Sequence, residues 1–198
     1  MDEQKVSVVI PVIRPIKAQR VIAALESDLS FRDFEIVMEE DLERIGCPKM
    51  VKRLVEKTKY SWVMFLGDDT LPRPGIILKA LEASKTLRDG WGLVGLNDEF
   101  NTSKLATHWM AHKNLLPLLG GEFFYTGYNH GYCDHELTKR CAEMGRYVWA
   151  VDARLEHDHP IVKGRPVRGD YLRVYTGETY LHDLILFRRR ERSGWTSD

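Results

Sequence analysis

The sequence predicts an α/β protein with a mainly parallel sheet flanked by crossover helices, and three observations carry that prediction. Short β-branched, apolar runs recur along the first half of the chain. Stretches with helical spacing separate them, and two of the runs stop abruptly in acidic clusters. The first run, Val6 to Val12 (VSVVIPV), reads as a buried strand ended by Pro11 and Pro15. Ala18, Val21, Ile22 and Leu25 then mark one face of a helix over 17–28. Phe34 to Met38 is a second strand, followed by Glu39-Glu40-Asp41, and 48–59 a second helix with Pro48 near its first turn. Trp62 to Leu66 is a third strand and ends in Gly67-Asp68-Asp69-Thr70. A helix over 75–87 and a strand over 91–96 complete the alternation. Beyond it the pattern predicts a strand over 105–112 and an ordered aromatic loop over 123–132. A helix with Asp134 at its start and Gly145 just past its end follows. A strand over 147–151, a mobile loop over 163–169 and a terminal helix over 178–192 close the chain.

The 198 residues fit one domain that needs no disulfide staple. Lys plus Arg equals Asp plus Glu, so net charge points to no polyanionic partner. Its distribution is uneven: Arg165, Arg168, Arg173, Arg188, Arg189, Arg190 and Arg192 crowd the last third, opposite the acids of the first. Three cysteines make no disulfide framework, no apolar run is long enough to span a bilayer, and the acidic N-terminus is no secretion signal. The expectation is a cytoplasmic protein with no membrane span.

In a parallel sheet, ligands bind beyond the C-terminal strand ends, and both acidic clusters fall there. Asp68 and Asp69 suit a hard divalent cation, which takes one or two carboxylates together with phosphate oxygens. Asp68 capping the following turn is the plainer alternative. Asp134 can serve as a general base or as the cap of its own helix, and the two roles are compatible.

These segments together resemble the GT-A fold glycosyltransferases, and in particular inverting glycosyltransferase family 2, including its compact phage-like members. The resemblance covers about residues 5 to 160. It rests on VSVVIPV, FEIVMEED, SWVMFLGDDTLPRPG, LLGGEFF, and CDHELTKRC followed by LEHDHP. It implies a catalytic domain over 1–160, with 161–198 a basic loop and tail packed on it. The implied activity is single-sugar transfer from a UDP- or GDP-type sugar to an acceptor hydroxyl, assisted by Mn²⁺ or Mg²⁺. By position, Asp41 corresponds to the acid that accepts from the nucleobase, Asp68 to the ribose-side residue and Asp69 to the metal ligand. Pro11 and Arg14 border the nucleotide, and Asp134 is the catalytic base. The chain departs from the pattern in Glu40-Asp41 for a pair of Asp, Thr70 for a third acid, and Cys133 for a Glu.

The family often places a metal-binding His near LEHDHP. Strand period puts His157 and His159 on one face; the choice between them stays open, with a slight preference for His159 before Pro160. His108, Trp109, Gly121 and Glu122 resemble the acceptor-side strand and turn. Arg165 and Arg168 sit on a loop able to close over a diphosphate. The acceptor itself stays open: a protein, or a modified DNA base contacted through Arg188 to Arg190, Arg192 and Trp195. Two other readings compete. A nucleotidyltransferase of similar topology would need a Gly-rich loop after the first strand, and PVIRPIKAQR has no Gly. A zinc module would use His130, Cys133, His135 and Cys141, but lacks a Cys-X-X-Cys knuckle.

Overall fold

Strand β1 (Val6–Val12) is buried on both faces, and its pattern explains the architecture. Val6, Val8, Ile10 and Val12 point into one core and Val9 into another, as the two-residue period of a strand requires. A strand apolar on both sides belongs at the centre of a layered α/β sheet. The structure, a computed structural model, describes residues 5–100, 105–169, 171–172 and 177–196; Arg173 lies outside them.

Helix α1 (Pro15–Ser27), with Pro in its first turn, leads to β2 (Phe34–Glu40), and α2 (Cys47–Val55) leads to β3 (Trp62–Phe65). A short β4 (Thr70–Pro72), α3 (Ile76–Ser84), β5 (Leu93–Asn97) and β6 (Trp109–His112) follow. After them come a single turn α4 (Leu116–Leu119), α5 (Cys133–Glu143), β7 (Tyr147–His157) and α6 (Gly177–Arg192). The seven strands form one sheet in the order β2-β1-β3-β6-β5-β7-β4. β1, β2 and β3 are parallel, as are β5 and β7; β6 runs antiparallel between β3 and β5, and β4 antiparallel to β7. The sheet is mixed and mainly parallel. Residues of α1 and α3 fill the core on one face, and residues of α2, α4 and α5 fill the other.

The strand expected over 105–112 is confined to Trp109–His112, α4 was not expected, and two further elements differ more. The strand expected to end at Val151 continues to His157, past an irregularity where Leu96 pairs with Ala150 but Asn97 with Arg154. The extra residues beyond Ala150 form a bulge that re-aims the strand, and its far end pairs with the unexpected β4, Thr70 opposite His157. As a result, His157 ends a strand and His159 lies two residues beyond it, so the two do not share a strand face.

Candidate active site at the C-terminal rim of the sheet

Five strand ends deliver polar side chains to one rim. Ile13 and Arg14 follow β1, Asp41 follows β2, Gly67-Asp68-Asp69 follows β3, Asp98 follows β5, and His157 closes β7. Because β6 is antiparallel, its beginning reaches the same rim. His108 therefore sits between the ends of β3 and β5, its carbonyl accepting from Leu96 N at 2.9 Å.

The adjacent acids have separate jobs. Asp68 Oδ2 accepts from Ile13 N and Arg14 N at 2.8 and 2.7 Å, and Oδ1 accepts from the Arg14 guanidinium. Its carboxylate thus locks the loop after β1 against the end of β3. Asp69 faces a histidine cluster instead: Oδ1 lies 3.7 Å from His157 Nε2, and Oδ2 accepts from the Tyr171 hydroxyl at 2.7 Å with Arg14 Nη1 at 3.3 Å. Burial works to raise the Asp69 carboxyl, but His157, Arg14 and the Tyr171 hydroxyl outweigh it and hold it at about 2. Asp69 is therefore ionised at any physiological pH. Gly67 leaves room for this arrangement, since a Cβ there would stand 2.9 Å from Asp69 Oδ1 and 3.2 Å from His108 Nε2.

His157 is the hub of the cluster. Its ring meets His108 edge-on at 4.7 Å and lies 5.2 Å from His159, and its Nδ1 is 3.8 Å from Asp98 Oδ2. That Nδ1 is buried without a hydrogen-bond partner among the described residues, an uncommon state for a buried polar atom. Burial and the neighbouring His157 push His108 down to about 3 and His159 to about 4, so both are neutral imidazoles at neutral pH. Donor atoms of Asp98, His108 and His157 all lie within 4.8 Å of one another. Carboxylates, imidazoles and an unpartnered buried nitrogen are a donor set suited to a divalent transition metal.

Across a cavity of about 370 Å³ stands the N-terminal end of α5, with His130, Tyr132, Asp134 and His135 facing the histidine cluster. Asp134 Oδ1 accepts from its neighbour's amide and lies 3.0 Å from His135 Nδ1, and that hydrogen bond raises the half-exposed imidazole's pKa. Asp41 also borders the cavity, its two oxygens accepting from Ile45 N and Gly46 N. A single thiol registers the convergence. Burial pushes Cys47 up, and Asp134, Asp68, Asp69 and Asp41 each add to the push.

Of the residues singled out in the sequence, Pro11, Arg14, Asp41, Asp68, Asp69, His108, Asp134, His157 and His159 border this one cavity. Of the others, His130, Cys133 and His135 line the cavity too, and the rest lie elsewhere. Trp109 is packed in the core against Phe123 and Phe124. Gly121 is exposed in a turn, and Glu122 is held by Thr126 N and Lys52. Arg165 pairs with Asp158 at the margin and Arg168 is exposed. Arg190, grouped with the surface arginines, is buried and bonded to Glu136 at 2.8 Å through both Nε and Nη2, so it cannot contact a phosphate backbone. His130, Cys133, His135 and Cys141 form no metal-binding group among the described residues, and Cys133 spends its thiol on the His130 carbonyl at 3.1 Å. The sequence reading missed Asp98 and Tyr171. Asp98 could have been found from its place directly after a predicted strand; Tyr171 carried no signal.

No protein-family model matches the sequence, nor does any curated protein. Solved structures do. The mannosyltransferase PcManGT from Pyrobaculum calidifontis, in complex with GDP-Man and Mn²⁺, superposes with a TM-score of 0.69 over 93% of this chain at 18% identity. The fold is GT-A. A Drosophila β-1,4-galactosyltransferase 7 mutant with manganese, UDP-Gal and xylobiose gives 0.65 over 91% of this chain at 11% identity. S. aureus TarS with UDP-GlcNAc gives 0.63 over 87% at 13%. The chain spans 64% of the mannosyltransferase, 79% of the galactosyltransferase and 62% of TarS, so the GT-A core is shared and the remainder of those chains is not.

Proposed function

We propose that the chain is a metal-dependent glycosyltransferase that moves one sugar from a nucleoside diphosphate to an acceptor hydroxyl. The observation that carries this reading is the cavity itself, where Asp41, Asp68, Asp69, Asp134 and the histidines converge from distant stretches of sequence. Three similar folds were solved with GDP-Man and Mn²⁺, UDP-Gal and manganese, and UDP-GlcNAc, which supports a donor of the UDP or GDP type.

Asp69 and His157 would hold the cation, with His108, Asp98 and His159 within the same cluster. Mn²⁺ suits mixed carboxylate and imidazole ligands better than Mg²⁺, which prefers oxygen alone. When bound, the cation neutralises charge gathering on the departing diphosphate. Arg14 faces the same region, its guanidinium set by Asp68 and stacked 4.4 Å over the Tyr171 ring. Asp41 and Pro11 border the nucleoside end.

Asp134 is the general base of this reading. An acceptor hydroxyl attacks the anomeric carbon as the bond from that carbon to phosphate oxygen breaks; its proton goes to Asp134, and nucleoside diphosphate leaves. Attack from the face opposite the diphosphate inverts the anomeric centre. His135, hydrogen-bonded to Asp134 and half exposed, offers the proton a way to solvent. General bases of this kind contribute about 10²–10⁴-fold. The acceptor would be a protein or a modified nucleobase.

A thermal-shift screen of UDP, GDP, CDP and TDP sugars, with and without Mn²⁺, tests the reading. One nucleotide class should stabilise the protein far more with metal than without it, Asp69→Ala should abolish that metal-dependent gain, and Asp134→Ala should keep the gain while releasing no nucleoside diphosphate. A protein indifferent to every nucleotide sugar would end the proposal.

A further inference from the structure

One face of α6 is fastened along the segment that carries Asp134. Tyr180, Asp183, Phe187 and Arg190 fall at helical spacing. The Tyr180 hydroxyl is 2.6 Å from that of Tyr132; Phe187 packs on the Tyr132 ring at 5.4 Å; Arg190 binds Glu136 and lies 3.5 Å over the Tyr125 ring. Between these contacts stands Asp183, fully buried. Its Oδ1 accepts from Asn129 N at 2.9 Å, and its Oδ2 from His130 N and Gly131 N at 2.9 and 2.8 Å. Three consecutive backbone amides thus close on one carboxylate. Charge-assisted bonds of this type are among the stronger ones a protein makes.

Apart from these bonds, the clamped stretch is held by the Cys133 thiol on the His130 carbonyl at 3.1 Å. It contains no regular element, and it is pressed from the far side by Gly46, where a Cβ would stand 2.5 Å from Asn129 O. It leads directly into Tyr132, whose φ of 64° is costly for a bulky residue, and two residues later into Asp134. His130 on the same stretch borders the cavity.

We propose that Asp183 is a positioning residue for sugar transfer: from the C-terminal helix it fixes residues 129–131, and through them the place of Asp134 opposite the histidine cluster. The inference rests on the transferase reading. It makes α6 part of the catalytic apparatus although none of its carboxylates reaches the cavity, and it separates binding from turnover. The residues assigned to the donor, Arg14, Asp41, Asp68 and Asp69, lie outside the clamped segment, so donor affinity should survive loss of the clamp while turnover does not.

The test compares wild type with Asp183→Asn, which keeps the size but turns an amide group toward the backbone donors. UDP-galactose, UDP-GlcNAc and GDP-mannose with Mn²⁺ are the probes, and nucleoside diphosphate released by transfer or hydrolysis is the readout. Expected are a donor KM within about twofold of wild type and a kcat lower by about tenfold to 100-fold, the range of a slightly misplaced group. Amide exchange at 129–131 should accelerate by about 100-fold, while exchange in β1 and β3 stays as in wild type. Asp183→Glu, which retains the charge but not the reach, should show the same split and serves if the Asn variant does not fold. Unchanged kcat, or unchanged protection at 129–131, overturns the inference. A wild-type protein that neither binds nor cleaves any donor instead sinks the transferase reading, and amide exchange still decides whether the clamp exists.

Discussion

Neighbouring acids with the same chemistry are given different work by what surrounds them. Asp68 is spent on the β1 loop, where Ile13 N, Arg14 N and the Arg14 guanidinium use both its oxygens. Removing it leaves a mostly buried guanidinium without its closest partner, so Asp68→Ala should cost about 2–3 kcal/mol in urea unfolding. Nucleotide binding should suffer as well, because Arg14 loses its setting. His108 gives a pH dependence that belongs to the metal-free protein. Its folded pKa is lowered to about 3, mainly by burial, against about 6.5 unfolded. The stability it contributes is complete above pH 6.5 and is lost as pH falls toward 3, because the unfolded chain takes the proton first. Metal-free protein should therefore lose up to about 1.4 kcal/mol per pH unit from this one group between pH 6 and 4. His108→Gln should flatten the slope measured by denaturation; an equally steep decline would show that the imidazole is not buried neutral.

At the scale of elements, the alternation of the first half was legible because β1 and β3 are buried on both faces and each helix has one apolar stripe. Val6 to Val12, Trp62 to Phe65 and the acidic residues after them could be placed with no knowledge of contacts. The second half was harder for physical reasons. β4 is three residues long and exists only because β7 pairs with it across 83 to 87 positions of sequence, which no local pattern encodes. The extension of β7 was nonetheless written in the chain: Asp152, Arg154 and Glu156 alternate with Ala153 and Leu155, and the latter two are fully buried. Asp183 and Arg190 read as surface charge on a terminal helix, since only tertiary contact turns them inward. Gly46, at the start of α2, tests how tightly the elements fit. Its φ of 95° and ψ of 159° suit glycine alone, and an added Cβ would meet the Asn129 carbonyl. Gly46→Ala should destabilise by about 2–4 kcal/mol, with amide exchange rising first in 129–131 if the two walls of the cavity are braced there.

For the whole molecule, the consequence of gathering Asp41, Asp68, Asp69 and Asp134 around one cavity is an electrostatic conflict that a ligand must resolve. A nucleoside diphosphate alone brings more negative charge toward these carboxylates, with Arg14 the cation bordering the cavity. A divalent cation alone would be held by Asp69 and His157, without the oxygen ligands that a diphosphate would add. Together, each removes the obstacle to the other, because the cation offsets the diphosphate and the diphosphate supplies oxygen ligands. Binding to the native state alone raises stability by about 2.7 kcal/mol at a ligand concentration 100 times Kd, which in a chain of this size moves Tm by about 5–10 °C. The expected outcome is therefore cooperative: Mn²⁺ alone and the matching nucleoside diphosphate alone each shift Tm by a degree or two, and the pair shifts it by more than the sum. Asp69→Asn should reduce the joint shift to that of the nucleotide alone, whereas Asp134→Asn should leave it intact. Shifts that simply add, with Asp69 in place, would mean that cation and diphosphate occupy separate sites and that the histidine cluster serves some purpose other than holding a donor.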